Sequence, residues 1–263
     1  ILLILSGRIQ VWHIFGVAMA AGVVRVFQMP SAQSLVADTL PQDRIGNGAA
    51  FNSVGMNLAM LLGPLIGGVL FKSYGPEGAY AMITGLYCLS GFAALSIRLD
   101  KKPATAGRKP EHRSIISGLK YVKGEQIIWG TLMVAIIIEF FGWTFHTSLI
   151  PSFARDVLGT DSAGLGVLMF AFGAGALGAS LTWAMIRNLR HVGKLMFAAA
   201  LLWHISILAI STTESFYVSM AILVFIGMGF GSIQVFTLAA LLRAADAGYR
   251  GRVISLRSLA IYS

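Results

Sequence analysis

Apolar runs recur along this chain, each near the roughly 20 residues that a helix needs to cross the hydrocarbon core of a bilayer. Full-length runs fall at about 11–36, 46–72, 78–97, 126–150, 162–186, 192–211 and 215–242, with partial ones at 1–5 and from about 251. Lipid offers no water to satisfy backbone N–H and C=O groups, so segments that cross it are helices or closed barrels. A barrel would show alternating segments of roughly ten residues, a pattern this sequence lacks. The expected fold class is all-α, a polytopic membrane protein. Composition agrees, with 12% charged residues against roughly 25% in a soluble domain.

The basic residues orient the spans. Sixteen of the 20 Lys and Arg fall on one side. They are Arg44; Arg98, Lys101, Lys102, Arg108, Lys109, Arg113, Lys120 and Lys123; Arg187, Arg190 and Lys194; and Arg243, Arg250, Arg252 and Arg257. Arg8, Lys72 and Arg155 fall on the other side, and Arg25 lies within a span. Short loops rich in Lys and Arg stay in the cytoplasm. A multi-pass protein of the cell (inner) membrane, with cytoplasmic basic loops, is expected. The net charge of +9 is then a matter of topology, and nucleic acid is not an expected partner.

Several chemistries are disfavoured. Cys88 is the single cysteine, so neither an internal disulfide nor a CxxC metal site can form. No GxxxxGK[ST] loop occurs, which leaves ATP-driven transport unsupported. Ser, His and Asp are scattered without a hydrolase constellation. No enzyme activity, metal or cofactor is expected.

The polar stretch 98–125 divides the chain into an N-terminal helical part, 1–97, and a C-terminal helical part, 126–263. Within it Ile115, Ile116, Leu119 and Val122 recur at helical spacing, which predicts an amphipathic helix at the interface. The two parts echo each other. One span ends at Gln33-Ser34-Leu35-Val36 before a loop with Asp43 and Arg44, another at Gln234-Val235-Phe236-Thr237 before a loop with Asp246, Arg250 and Arg252. Repeated halves joined by a long basic loop are a transporter organisation.

At this point the residues resemble a family. Gly63-Pro64-Leu65-Ile66-Gly67-Gly68 is similar to the GPxxGG end of the antiporter motif in the fifth helix of major facilitator superfamily exporters, although Ala50 and Ala59 stand where glycine is usual. Gln10-Val11-Trp12, Met29-Pro30-Ser31-Ala32-Gln33, Asn52-Ser53, Asn57, Pro151, Leu158-Gly159 and Arg250-Gly251-Arg252-Val253 resemble the enterobactin-exporter-like, multidrug efflux branch. The resemblance implies a major facilitator fold of two six-helix halves, here truncated at both ends. The chain, opening at Ile1 and closing at Ser263 inside apolar runs, would be an internal fragment from the end of helix 3 to the start of helix 11. Gln28 and Met60 stand where branch members often carry an acidic residue and an Arg.

Glu139 is the sharpest candidate for chemistry. It sits near the middle of the 126–150 span between Ile136-Ile137-Ile138 and Phe140-Phe141. A charge at that depth costs about 2.5–3.5 kcal/mol on insertion scales, so such residues face a bundle interior or a water-filled cavity. Gly142, Trp143 and His146 follow at i+3, i+4 and i+7, on its face. The resemblance makes this span helix 7, one of the helices around the central cavity. Arg25 is central in the span that would be helix 4, with Gln28 on its face, and Gln234 belongs to the span that would be helix 10. These residues are expected to serve proton coupling and the substrate cavity, with a packing role as the alternative for each. Gly63, Pro64, Gly67 and Gly68 form the antiporter motif, in which Gly63 and Gly67 have small-xxx-small spacing and Pro64 favours a bend. Arg250 and Arg252 are candidates for a cytoplasmic gate.

The expected function is secondary active transport. A small drug-like or siderophore-like molecule would be exported against proton entry by alternating access in a monomer embedded in the bilayer. Proton-coupled uptake and a non-transporting membrane scaffold or receptor are the alternatives.

Overall fold

The computed structural model describes residues 10–13, 15–24, 28, 45–96, 115–186, 191–246, 249, 253–254 and 256–257, with backbone alone for 45–54, 115–118, 120 and 143. The described residues are helical and connecting segments without strands, as the apolar runs require. In chain order the helices are α1 (Val11–Val24), α2 (Ile45–Ser96), α3 (Ile115–Gly124), α4 (Gln126–Thr144), α5 (Ile150–Asp156), α6 (Ser162–Met185), α7 (Val192–Ile210) and α8 (Phe216–Ala244).

Between the runs at 46–72 and 78–97 lies a break inside α2. Gly75 has φ 66° and ψ −170°, a conformation open to glycine because it has no Cβ. Pro76 follows and starts the second limb. The backbone keeps helical φ/ψ at Pro64, and the non-helical residue within α2 is Gly75.

The expected 126–150 span is longer than its apolar run suggests. After α4 the chain makes one wide π-helical turn, Phe145–Leu149, and continues as α5 to Asp156. The Ile150 N–H donates to the carbonyl of Phe145, five residues back. Pro151 lacks an N–H, and in a regular helix its ring would press on the carbonyl four residues earlier. A wide turn just before it accommodates that residue.

The helices pack in the order α2, α6, α8, α7, with α4 lying across α8 and touching α7. Glycine sets the two innermost seams. A Cβ built on Gly227 of α8 would lie 1.9 Å from the Phe172 carbonyl oxygen of α6, and one on Gly175 2.0 Å from the Val224 carbonyl oxygen. The two backbones therefore touch directly, which small residues permit and larger ones prevent. Between α2 and α6 the same role falls to Gly68, whose Cβ would be 2.3 Å from the Ser162 carbonyl oxygen, and to Gly166, 2.7 Å from that of Pro64. Trp183 of α6 donates its indole N–H to the Ser232 hydroxyl of α8 at 2.7 Å. Trp203 of α7 is wholly enclosed, its ring edge-on to Phe230.

The linker helix α3 docks on protein along one edge. Val122 is buried with Leu241, Ala245 and Val253, while Leu119 is exposed. Tyr121 stacks on Tyr249 with ring centroids 4.0 Å apart, and its hydroxyl accepts the Asp246 backbone N–H at 3.0 Å.

Candidate functional site

Glu139 lies inside the bundle and is 5% exposed. The helix α4 presents it on the buried face with Leu132, Ala135 and Gly142. Its Oε1 is enclosed and has no hydrogen-bond partner among the described residues. A buried acceptor left unpaired costs about 1–3 kcal/mol, and more when charged.

The group opposite it is one that the sequence reading placed elsewhere. Arg257, counted there among the cytoplasmic loop residues, is buried at 8% exposure. Its guanidinium donates to the Gln234 Oε1 of α8, and its charge reaches Glu139. The correction has a physical reason: Val253 and Arg257 are four residues apart on one helical face, and both are buried. That spacing in the final apolar run was the available signal. A basic side chain at the start of a span enters the bundle when a polar partner is waiting for it.

The other expected residues fare differently. Gly142 on the Glu139 face packs against α7, since a Cβ there would lie 2.3 Å from the Trp203 ring. His146, in the wide turn, is half-buried with its ring 4.0 Å from that of Phe172. Gln234 is half-buried and engaged with Arg257, so it reaches the site through that residue. Thr237, one turn further on, is buried with its hydroxyl 3.7 Å from the Met196 sulfur, and packs α8 on α7. Gln28 is exposed. Arg25, Arg250, Arg252 and the Trp143 side chain lie outside the described residues.

The residues of the Gly63–Gly68 segment divide by face. Gly68 and the Pro64 carbonyl form the seam with α6, whereas Gly63 and Gly67 meet nothing within 4 Å among the described residues. Among the described residues, the close approach is seen at Gly68 and the Pro64 carbonyl. At the Gly75 end of this seam Lys72 pairs with Asp161 at 2.7 Å. Asp161 also caps α6 by accepting the Gly164 N–H at 3.0 Å. The hydrogen bond from Lys72, then that from Gly164, holds the Asp161 carboxyl below its ordinary range.

Five helices among the described residues are long and apolar enough to cross a membrane. The family model described as Major Facilitator Superfamily matches residues 1–263. The chain belongs to the Major Facilitator Superfamily. It is a multi-pass membrane protein with a transporter scaffold, not an enzyme. Among curated relatives it is similar to the multidrug resistance protein MdtG of Enterobacter lignolyticus, with 26% identity over 74% of this chain and 44% of that protein. It is also similar to the multi-drug resistance efflux pump PmrA homolog of Lactococcus lactis, with 23% identity over 49% of this chain and 31% of that protein. The chain thus spans less than half the length of these relatives. Among solved structures, a bacterial homolog of the human lysosomal transporter Spinster, inward-facing and unoccupied, aligns with a TM-score of 0.61. That match covers 88% of this chain and 56% of the other at 14% identity, and establishes the fold.

Proposed function

We propose that this protein is a secondary active transporter that exports a small drug-like or siderophore-like molecule in exchange for protons, with Glu139 as the coupling group. The observation that carries the reading is the Glu139 carboxyl, enclosed in a transporter bundle, with one oxygen that has no hydrogen-bond partner among the described residues. An ionisable group at such depth is functional by default, and proton binding would satisfy it without any other ligand. The relatives named for multidrug resistance and efflux support export as the direction.

In this reading the two halves rock around a central site. Proton and substrate bind in alternation at Glu139, in a cavity to which Arg25, Gln28, Trp143, His146 and Gln234 contribute. The seam at Pro64 and Gly68 keeps α2 and α6 sealed while the site changes sides, and Gly63 and Gly67 lie on the neighbouring face of the same motif. Arg250 and Arg252 belong to the gate at the basic end. The protein works as a monomer in the cell membrane.

The test uses the full-length protein in proteoliposomes with an imposed pH gradient. Internal pH is followed while hydrophobic cations and siderophore-like compounds are added. Substrate-dependent proton movement that is lost in Glu139→Gln is the expected result. Movement that persists unchanged in the variant removes Glu139 from the coupling role, and proton movement in the same direction as substrate replaces antiport with symport.

A further inference from the structure

The linker helix α3 has two faces, and the bundle covers one of them. Val122 is buried and Tyr121 half-buried on the edge that meets the end of α8. Leu119 is 51% exposed, and Lys123, four residues on, is exposed as well. The helical backbone places Ile116 and Lys120 on the same face as this pair, in the i, i+3, i+4, i+7 register of an amphipathic stripe. The apolar spacing of α3 therefore serves two faces. Val122 belongs to the docked one and Leu119 to the other.

The makeup of the second face says what suits it. It combines two apolar residues with two lysines, and α3 contains no Asp or Glu. Lys123 makes no ion pair among the described residues. Water alone would leave the apolar residues unserved, and an apolar protein surface would leave the lysines unserved. An anionic bilayer surface serves both. Apolar side chains enter the boundary between headgroups and acyl chains, while a lysine stem lies along apolar surface and its ammonium reaches out to the headgroups.

The position of α3 agrees. Only Glu125 separates it from the membrane-spanning α4. The Glu125 N–H donates to the Tyr121 carbonyl at 3.1 Å, and the Trp129 N–H donates to the Glu125 carbonyl at 3.0 Å, so backbone bonding runs on from one helix to the other. Ile127 and Trp129, in the first turn of α4, are exposed, and tryptophan is enriched at the depth of the headgroups. We infer that the second face of α3 binds the anionic phospholipid headgroups of the bilayer at the basic end of the bundle. The linker helix is then held between lipid on one side and the end of α8 on the other.

The probe is lipid of defined charge. Full-length protein is placed in nanodiscs of phosphatidylcholine, or of phosphatidylcholine with a rising fraction of phosphatidylglycerol, and hydrogen exchange of the 115–124 amides is followed. Protection of these amides should rise with the anionic fraction and fall again at high salt, which screens exposed charges. Each lysine near an anionic surface contributes about fivefold in affinity. Lys123→Gln should therefore lower the lipid-dependent protection by about fivefold, and Lys120→Gln with Lys123→Gln should abolish most of it. Lys120→Arg with Lys123→Arg should keep it. Melting in phosphatidylcholine alone shows that each variant is folded, and the single variant carries the test should the double one unfold. Equal protection in the two lipids would overturn the inference, since another part of the protein would then cover this face. A rise that survives the loss of both lysines would overturn it too, because the lipid would then act elsewhere. The inference stands apart from the role of Glu139, so the flux test and this one can fail separately.

Discussion

Adjacent glycines in one motif should respond oppositely to the same small change. Gly68→Ala places a methyl group 2.3 Å from the Ser162 carbonyl oxygen and 3.1 Å from the Gly166 Cα, both backbone atoms. Ordinary contact begins near 3.4 Å, so α2 and α6 must part by about 1 Å at that point. No rotamer change relieves a clash between two backbones. The expected loss is therefore in the range of overpacked cores, about 1–3 kcal/mol. Gly67→Ala meets nothing within 4 Å among the described residues and removes the conformational cost of a helical glycine, so it should be neutral or stabilising by up to about 1 kcal/mol. Thermal denaturation of the purified full-length variants measures the difference, and gradient-driven transport shows whether the seam also matters in turnover. Equal melting temperatures for the two variants, or a greater loss in Gly67→Ala, would refute the assignment of the Gly68 face to the seam.

Three further outcomes follow from the geometry. Gly142→Ala sets a methyl 2.3 Å from the enclosed Trp203 ring, so it should destabilise by about 1–3 kcal/mol and shift tryptophan emission, and unchanged emission and melting would contradict that packing. Tyr121→Phe keeps the stack on Tyr249 but loses the acceptor for the Asp246 N–H. The expected cost is about 0.5–1.5 kcal/mol, read as faster hydrogen exchange at that amide. Asp161 has a depressed folded-state value, so the stability it contributes is present above the ordinary carboxylate range and disappears as pH falls through the depressed one. Melting curves of wild type and Asp161→Asn should therefore differ near neutrality and converge in acid, and a gap that persists in acid would show that the Lys72 contact is not the source.

Much of the fold was legible because lipid leaves the backbone so few choices. The runs at 162–186, 192–211 and 215–242 match α6, α7 and α8 within about two residues at each end. The run at 126–150 fell short of the span, because the wide turn lets the helix continue past Pro151 to Asp156. Glu139 was legible as a charge in an apolar run, and its burial follows from the cost of exposing it to lipid. Its surroundings were not. Spacing places Gly63 and Gly67 on one face but not which face meets α6, and among the described residues the close approach is seen at Pro64 and Gly68. Gly142 gives no sign of the tryptophan, 61 residues away, that packs against it. Arg257 reads as a loop residue until its helical phase with Val253 is known.

Phe145 and Ile150 bracket the wide turn, and both are buried. In a regular helix, residues five apart point about 140° away from each other. Here one extra residue in the turn brings them back into line. The span is thus two helical wheels set on one axis with different zero marks. A stripe counted outward from Glu139 through Gly142 and His146 loses its meaning beyond Leu149, and the outer third must be counted afresh from Ile150 and Ala154. Beyond Leu149 the order of side chains along the span therefore restarts.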